Sequence, residues 1–219
     1  MRRVMLQLAI LTVLLAVGVA LTTAQQNPQG AGAAPGGQGG PGGGAGRPGG
    51  GGPPPPLRLT SAGFADGTQL PAKYSCTAGP AAVSPPLRWA NTPRDTVTFA
   101  LIVHDMEPRP RKGVDDILHW MVWNIPASAN GFPEGVPSGS ADLPDGSRQT
   151  NGNAGNGGIV GYRPPCPPQD IPVPHHYAFE LYALDEKVDL PAGASRADLL
   201  KAMDGHISAH AALIAPFNR

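Results

Sequence analysis

Two short apolar runs separated by a polar loop constrain this chain more than any other feature. Val97–Val103 is rich in β-branched residues and too short to span a membrane as a helix. It ends at His104, Asp105 and Glu107, and Pro108 and Pro110 then prevent a continuing ladder. A second run starts at Ile117 and stops at Pro126. Both read as buried strands. Strict alternation puts Ile117, His119, Met121, Trp123 and Ile125 on one face of the second strand. Leu118, Trp120, Val122 and Asn124 then share the other. If the strands are neighbours, the His119 imidazole meets the Asp105 and Glu107 carboxylates at the edge of an apolar core. Titratable groups in a partly dry place make a candidate site.

Composition divides the chain into three. Met1–Ala24 carries Arg2 and Arg3, then the apolar run Val4–Leu21, then Thr22-Thr23-Ala24. It reads as a secretory signal peptide, with an uncleaved anchor as the alternative. Gln25–Pro56 is almost wholly Gly, Pro, Ala and Gln, and is expected to be a disordered tether that cannot offset its own ordering entropy. Leu57–Arg219 is long enough for one core. All 16 acidic residues lie in it, whereas Arg2, Arg3 and Arg47 of the 16 basic residues do not, leaving a net charge of −3. A nucleic-acid partner, which would need a basic face, is not expected. Export makes this a periplasmic or secreted chain, where Cys76 and Cys166 can pair as a disulfide or remain as two buried thiols.

Along the globular part, Leu57–Thr60 and Lys73–Cys76 read as short strands, with another after Ser84-Pro85-Pro86. Ala127–Gly158 reads as loop. Gly161–Pro168 holds four prolines, so it is rigid without a ladder and suits a pocket wall or a stiff connector. His175–Asp185 is a strand that points His175, Tyr177, Phe179, Leu181 and Ala183 one way, and His176 and Glu180 the other. Ser195 with Asp198 predicts a capped helix over Arg196–Asp204. His206 and His210 are four apart but lack a third metal ligand nearby. Ala212–Phe217 is a candidate closing strand.

Several segments, in order, resemble the phosphatidylethanolamine-binding protein family in its bacterial Raf-kinase-inhibitor-like branch. They are Ser84-Pro85-Pro86-Leu87-Arg88-Trp89, Leu118-His119-Trp120, Asn124-Ile125-Pro126, Leu143-Pro144-Asp145-Gly146, Gly161-Tyr162-x-x-Pro165-Cys166-Pro167-Pro168, His175-His176-Tyr177 and Gly205-His206-Ile207. The resemblance implies a mainly β fold (β-rich α+β). A large antiparallel sheet would pack on a smaller one, with one or two C-terminal helices. It also implies a pocket for phosphate, acetate or a phospholipid headgroup, built from Asp105, His119, Gly161, Pro167, Pro168, His175 and Tyr177. Glu107, Trp123 and Tyr162 are candidates for its rim. The family's Asp-Pro-Asp reads Asp105-Met106-Glu107 here, which alters the rim.

Binding of a small anion or headgroup is therefore the leading expectation. Inhibition of an exported protease or hydrolase through the rim is the alternative, and a His/carboxylate or metal enzyme is third. No Ser or Cys stands in a nucleophile motif. No catalytic residue, metal or cofactor is assigned. Peripheral membrane contact is compatible with a headgroup ligand.

Overall fold

In the computed structural model, residues 53–107, 116–151, 160–169 and 172–219 are described. The expected leader, the tether up to residue 52 and most of the Asn151–Gly158 loop lie outside them.

The strands are β1 (Arg58–Thr60), β2 (Leu87–Ala90), β3 (Thr98–Asp105), β4 (Ile117–Pro126), β5 (Gly131–Phe132), β6 (Arg148–Thr150), β7 (His175–Leu184) and β8 (Ile207–Phe217). One helix of eight residues, α1 (Arg196–Met203), precedes β8. β6-β4-β3-β7-β8 form a five-stranded antiparallel sheet, and β1-β2-β5 a three-stranded one.

β3 is buried at all eight positions, because both faces of the large sheet are covered. Phe99, Leu101 and Val103 join Trp120, Phe179 and Leu181 in a core shared with Leu59, Trp89 and Phe132 of the small sheet. Ala100 and Ile102 face the other way, against Met121, Trp123, Val188, Leu199 and Met203. Removing one such large side chain from water contributes about 2 kcal/mol. That explains why β3 is a continuous apolar run rather than an alternating one.

Alternation holds along β7 and fails along β4. Leu101 pairs with Val122 but Phe99 pairs with Ile125; Val103 pairs with Trp120 but His104 pairs with Leu118. Each step leaves one extra residue on β4, and each such bulge reverses the facing pattern. The first puts Asn124 in the left-handed region at φ 57°. The second inserts His119 beside Trp120. His119 therefore faces the first core, whereas Met121 and Trp123, predicted to share its face, lie in the second.

Three further local readings change. Lys73–Cys76 is not a strand: two 3-10 segments, Ala72–Tyr74 and Cys76–Ala81, occupy this stretch. The region after Ala127 carries two short strands, β5 and β6. β8 starts at Ile207, so His210 lies on a strand opposite Tyr182 and not on a helix with His206. The predicted capping box is present: Asp198 N donates to Ser195 Oγ at 3.1 Å, and Ser195 N donates to Asp198 Oδ2 at 2.9 Å.

Candidate functional site

At one end of the large sheet, the last residue of β3 meets the first residues of β7. Asp105 pairs with Tyr177 across the ladder. Its side chain reaches diagonally to His175, with Nδ1 and Asp105 Oδ2 2.8 Å apart. The other oxygen, Oδ1, accepts from the Glu107 amide at 3.1 Å, a turn that Asp residues favour. Asp105 is 2% exposed. Burial raises its pKa above the ordinary aspartate value, and the His175 hydrogen bond opposes that only in part.

Glu107 behaves in the opposite way. Burial would raise it, but the His176 side-chain and backbone hydrogen bonds outweigh that and hold it below the ordinary range. His176 N donates to Oε2 at 2.5 Å, and His176 Nδ1 lies 2.7 Å from Oε1. His176, on the side of β7 away from His175, thus anchors the Glu107 carboxylate.

The second bulge delivers His119 to this place. Its ring stands edge-on to Tyr177, centroids 5.1 Å apart and planes at 90°. Nδ1 lies 2.8 Å from the Arg163 carbonyl, and Arg163 N donates to the His119 carbonyl at 2.8 Å. A carbonyl only accepts, so Nδ1 carries the proton and Nε2 is the acceptor of the neutral ring. Arg163 belongs to the proline segment, which is thereby fastened to β4 at the imidazole itself.

Further contacts hold that segment. The Tyr162 hydroxyl donates to the Tyr74 carbonyl at 2.8 Å, and its ring packs edge-on to Trp120. Burial raises the pKa of this phenol well above normal, so it stays a donor. Cys76 N donates to Pro165 O at 2.9 Å, beside the Cys76–Cys166 disulfide. Arg219 Nε donates to Pro167 O at 2.6 Å. Pro167 is buried and Pro168 exposed. Gly161 has φ +111° and is packed against Ser138.

Asp105, His175, Tyr177, His119 and Glu107 are therefore gathered in one neighbourhood, with the Gly161–Pro168 segment fastened to it. Tyr162 is a buried anchor and not a rim group. Trp123, fully buried on the opposite side of the sheet, is not a rim group either. Alternation misled there because a bulge carries no strong local signal. Asp105, Glu107 and His175 place one ligand atom each within 4.8 Å of one another, a spacing compatible with a cation. Elsewhere, a groove of about 860 Å³ is lined by Pro54–Leu57, Asn91–Asp95, Ser208 and Ala209, and it contains none of these groups.

The two carboxylates should separate on titration. Carbon-detected NMR is expected to find Asp105 titrating above, and Glu107 below, the usual values; the reverse order would refute the assigned environments. The linked stabilities have opposite signs. Glu107's contribution is present above its unfolded pKa and fades as pH falls through the depressed folded value. Asp105's is complete below its unfolded pKa and is lost as pH rises through the raised one.

Comparison with known proteins agrees with this architecture. The profile of the family "Phosphatidylethanolamine-binding protein" matches residues 60–218. A UPF0098 protein of Methanothermobacter thermautotrophicus is 38% identical over 163 residues, 74% of this chain and 99% of its own. LppC of Mycobacterium tuberculosis, described as a lipoprotein candidate, is 34% identical over 74% of this chain and 72% of its own. The crystal structure of CT736 of Chlamydia trachomatis, described as a phosphatidylethanolamine-binding protein homologue, superposes with a TM-score of 0.62. It is 34% identical, over 75% of this chain and 98% of its own. Escherichia coli YbcL gives a TM-score of 0.61 at 26% identity, over 74% and 98%. A β-rich fold of two antiparallel sheets, the order of its motifs and these similarities agree: the chain belongs to the phosphatidylethanolamine-binding protein family.

Proposed function

We propose that this chain is an exported binding protein whose pocket takes a small anion, phosphate or a phospholipid headgroup, at the His119–Asp105–His175–Tyr177 cluster. The observation that carries the reading is the part-buried Asp105–His175 pair set beside the edge-on His119–Tyr177 pair. Two imidazoles and a phenol are the donors an anion needs, strongest when the rings are charged. Asp105 and Glu107 only accept when ionised, so they suit the ammonium end of an ethanolamine headgroup or orient the histidines. The Cys76–Cys166 bridge is compatible with export. In this reading Met1–Ala24 directs export and Gln25–Pro56 is a tether.

A second reading, contact with an exported protein, draws on two exposed apolar residues near the site in sequence. Met106 is 50% and Val173 61% exposed.

Calorimetric titration of phosphate and of phosphoethanolamine at about pH 6 and pH 8 tests the proposal. Binding is expected to be tighter at the lower pH. His119→Ala should weaken it by tenfold or more, about 1.4 kcal/mol. A folded wild-type protein that binds neither probe would remove the anion reading and leave the protein-partner reading in front.

A further inference from the structure

Behind the pocket, on the opposite face of the large sheet, lies a second cluster of ionisable groups. His104 precedes Asp105 on β3, so the two side chains leave the strand on opposite sides. Its Nε2 lies 3.1 Å from Glu180 Oε2 on β7. Its Nδ1 lies 2.5 Å from Oδ2 of Asp116, the residue before β4. The other Asp116 oxygen accepts from Arg196 Nη1 of α1 at 3.0 Å. Glu180 also accepts from the Tyr182 hydroxyl at 3.0 Å and pairs with His210 Nε2 of β8 at 3.5 Å. The hydrogen bond from His104 is the main reason the Glu180 carboxyl is held below its ordinary pKa.

The cluster thus joins β3, β7, β8, α1 and the start of β4 at one point. That point coincides with the second bulge, between the Val103–Trp120 and His104–Leu118 pairs. The extra residue of that bulge is His119. Its direction depends on the bulge staying where it is, and a strand that slips by one residue turns its side chains to the other face. Asp105 is one peptide from the same point. A partly buried ionic network of this kind adds little stability by itself. What it adds is direction, because its ion pairs and hydrogen bonds hold in few arrangements.

We propose that His104 is a positioning residue of the pocket: with Asp116, Glu180 and Arg196 it locks the β3–β4 bulge from behind, and so aims His119 and Asp105. The proposal rests on the pocket reading for its effect on ligand, but its geometric half does not. A supporting shell of this kind holds contact groups to within fractions of an ångström.

The test uses the full chain with His104→Leu and His104→Gln variants. Phosphoethanolamine affinity is read by calorimetry, the His119 and His175 ring nitrogens by NMR, and folding by circular dichroism and thermal melting. His104→Leu is expected to stay folded, to shift the His119 ring resonances and to weaken binding about fivefold. His104→Gln keeps a donor toward Glu180 and should recover most of the affinity. A folded Leu variant with wild-type His119 resonances and affinity would overturn the proposal. If that variant does not fold, Glu180→Gln and Arg196→Ala each remove one arm, and wild-type ring resonances in both would overturn it equally. If the wild type does not bind the probe, the pocket reading fails while the ring resonances of the ligand-free variants still decide this proposal.

Discussion

Replacing Cys76 and Cys166 together by serine is expected to cost about 4 kcal/mol and to lower the melting temperature by roughly 10 °C or more. The bridge spans a sequence separation of 90. In the chain-entropy account, closing a loop of that size in the unfolded ensemble is worth somewhat over 4 kcal/mol. Against a typical total of about 5–15 kcal/mol, that is a large share. The physical setting supports a high value: the bridge joins the first 3-10 turns to a segment that four prolines have stripped of donors. Few ladder bonds could replace it. Urea titration of the double variant beside the wild type measures the difference. A midpoint unchanged within error would mean that the Tyr162, Arg163 and Arg219 contacts hold the segment unaided.

Gly161→Ala should produce the second largest change, a loss of about 2–4 kcal/mol with displacement of the segment that holds the His119 ring. At φ +111° a side chain is strained before any contact is considered. A Cβ there would also stand 3.1 Å from both Cα and Cβ of Ser138, and 3.3 Å from Gln149 Oε1. Neither neighbour can yield easily. Ser138 opposes with its backbone. Gln149 is committed on both ends: Oε1 accepts from Trp120 Nε1 at 2.9 Å, while Nε2 donates to the carbonyls of Pro137 and Ser140. Relief must come from moving residue 161, and Arg163, two residues on, sets the His119 tautomer. A thermal melt should register the strain, and the His119 ring resonances should register the displacement. A variant that melts and titrates like the wild type would show that the Gly161–Pro168 segment can adjust.

The groups of the cluster differ in what they ask of the fold. Asp105 and His175 are fixed by two adjacent strands, so their pairing follows from the β3–β7 register. Glu107 lies beyond the ladder and is fixed by His176, whose side chain leaves β7 on the face away from His175. The Met106 amide, donating to His176 O at 2.8 Å, extends the same link by one residue. The Glu107 side chain reaches back across to β7 through its two contacts with His176.

Much of this was legible in the residues. β7 runs without interruption, so a period of two placed His175 and Tyr177 on one face and His176 and Glu180 on the other. Ser195 and Asp198 announced the helix start, because a capping box is a local device needing only four residues. The proline segment and the Asp105 strand end were readable for the same reason. Each follows from covalent geometry or from nearest neighbours, which the chain carries wherever it goes. The bulges of β4, the 3-10 turns at Ala72–Ala81, the strand under His210 and the ionic cluster behind His104 were not readable. Each depends on what an element packs against: a bulge exists only relative to a partner strand, and a carboxylate out of water is explained only by the partner brought to it. The amino-acid order determined which side chains could do the chemistry. The register between β3 and β4 decided which of them face one another, because an extra residue in one strand costs little locally and reverses everything beyond it.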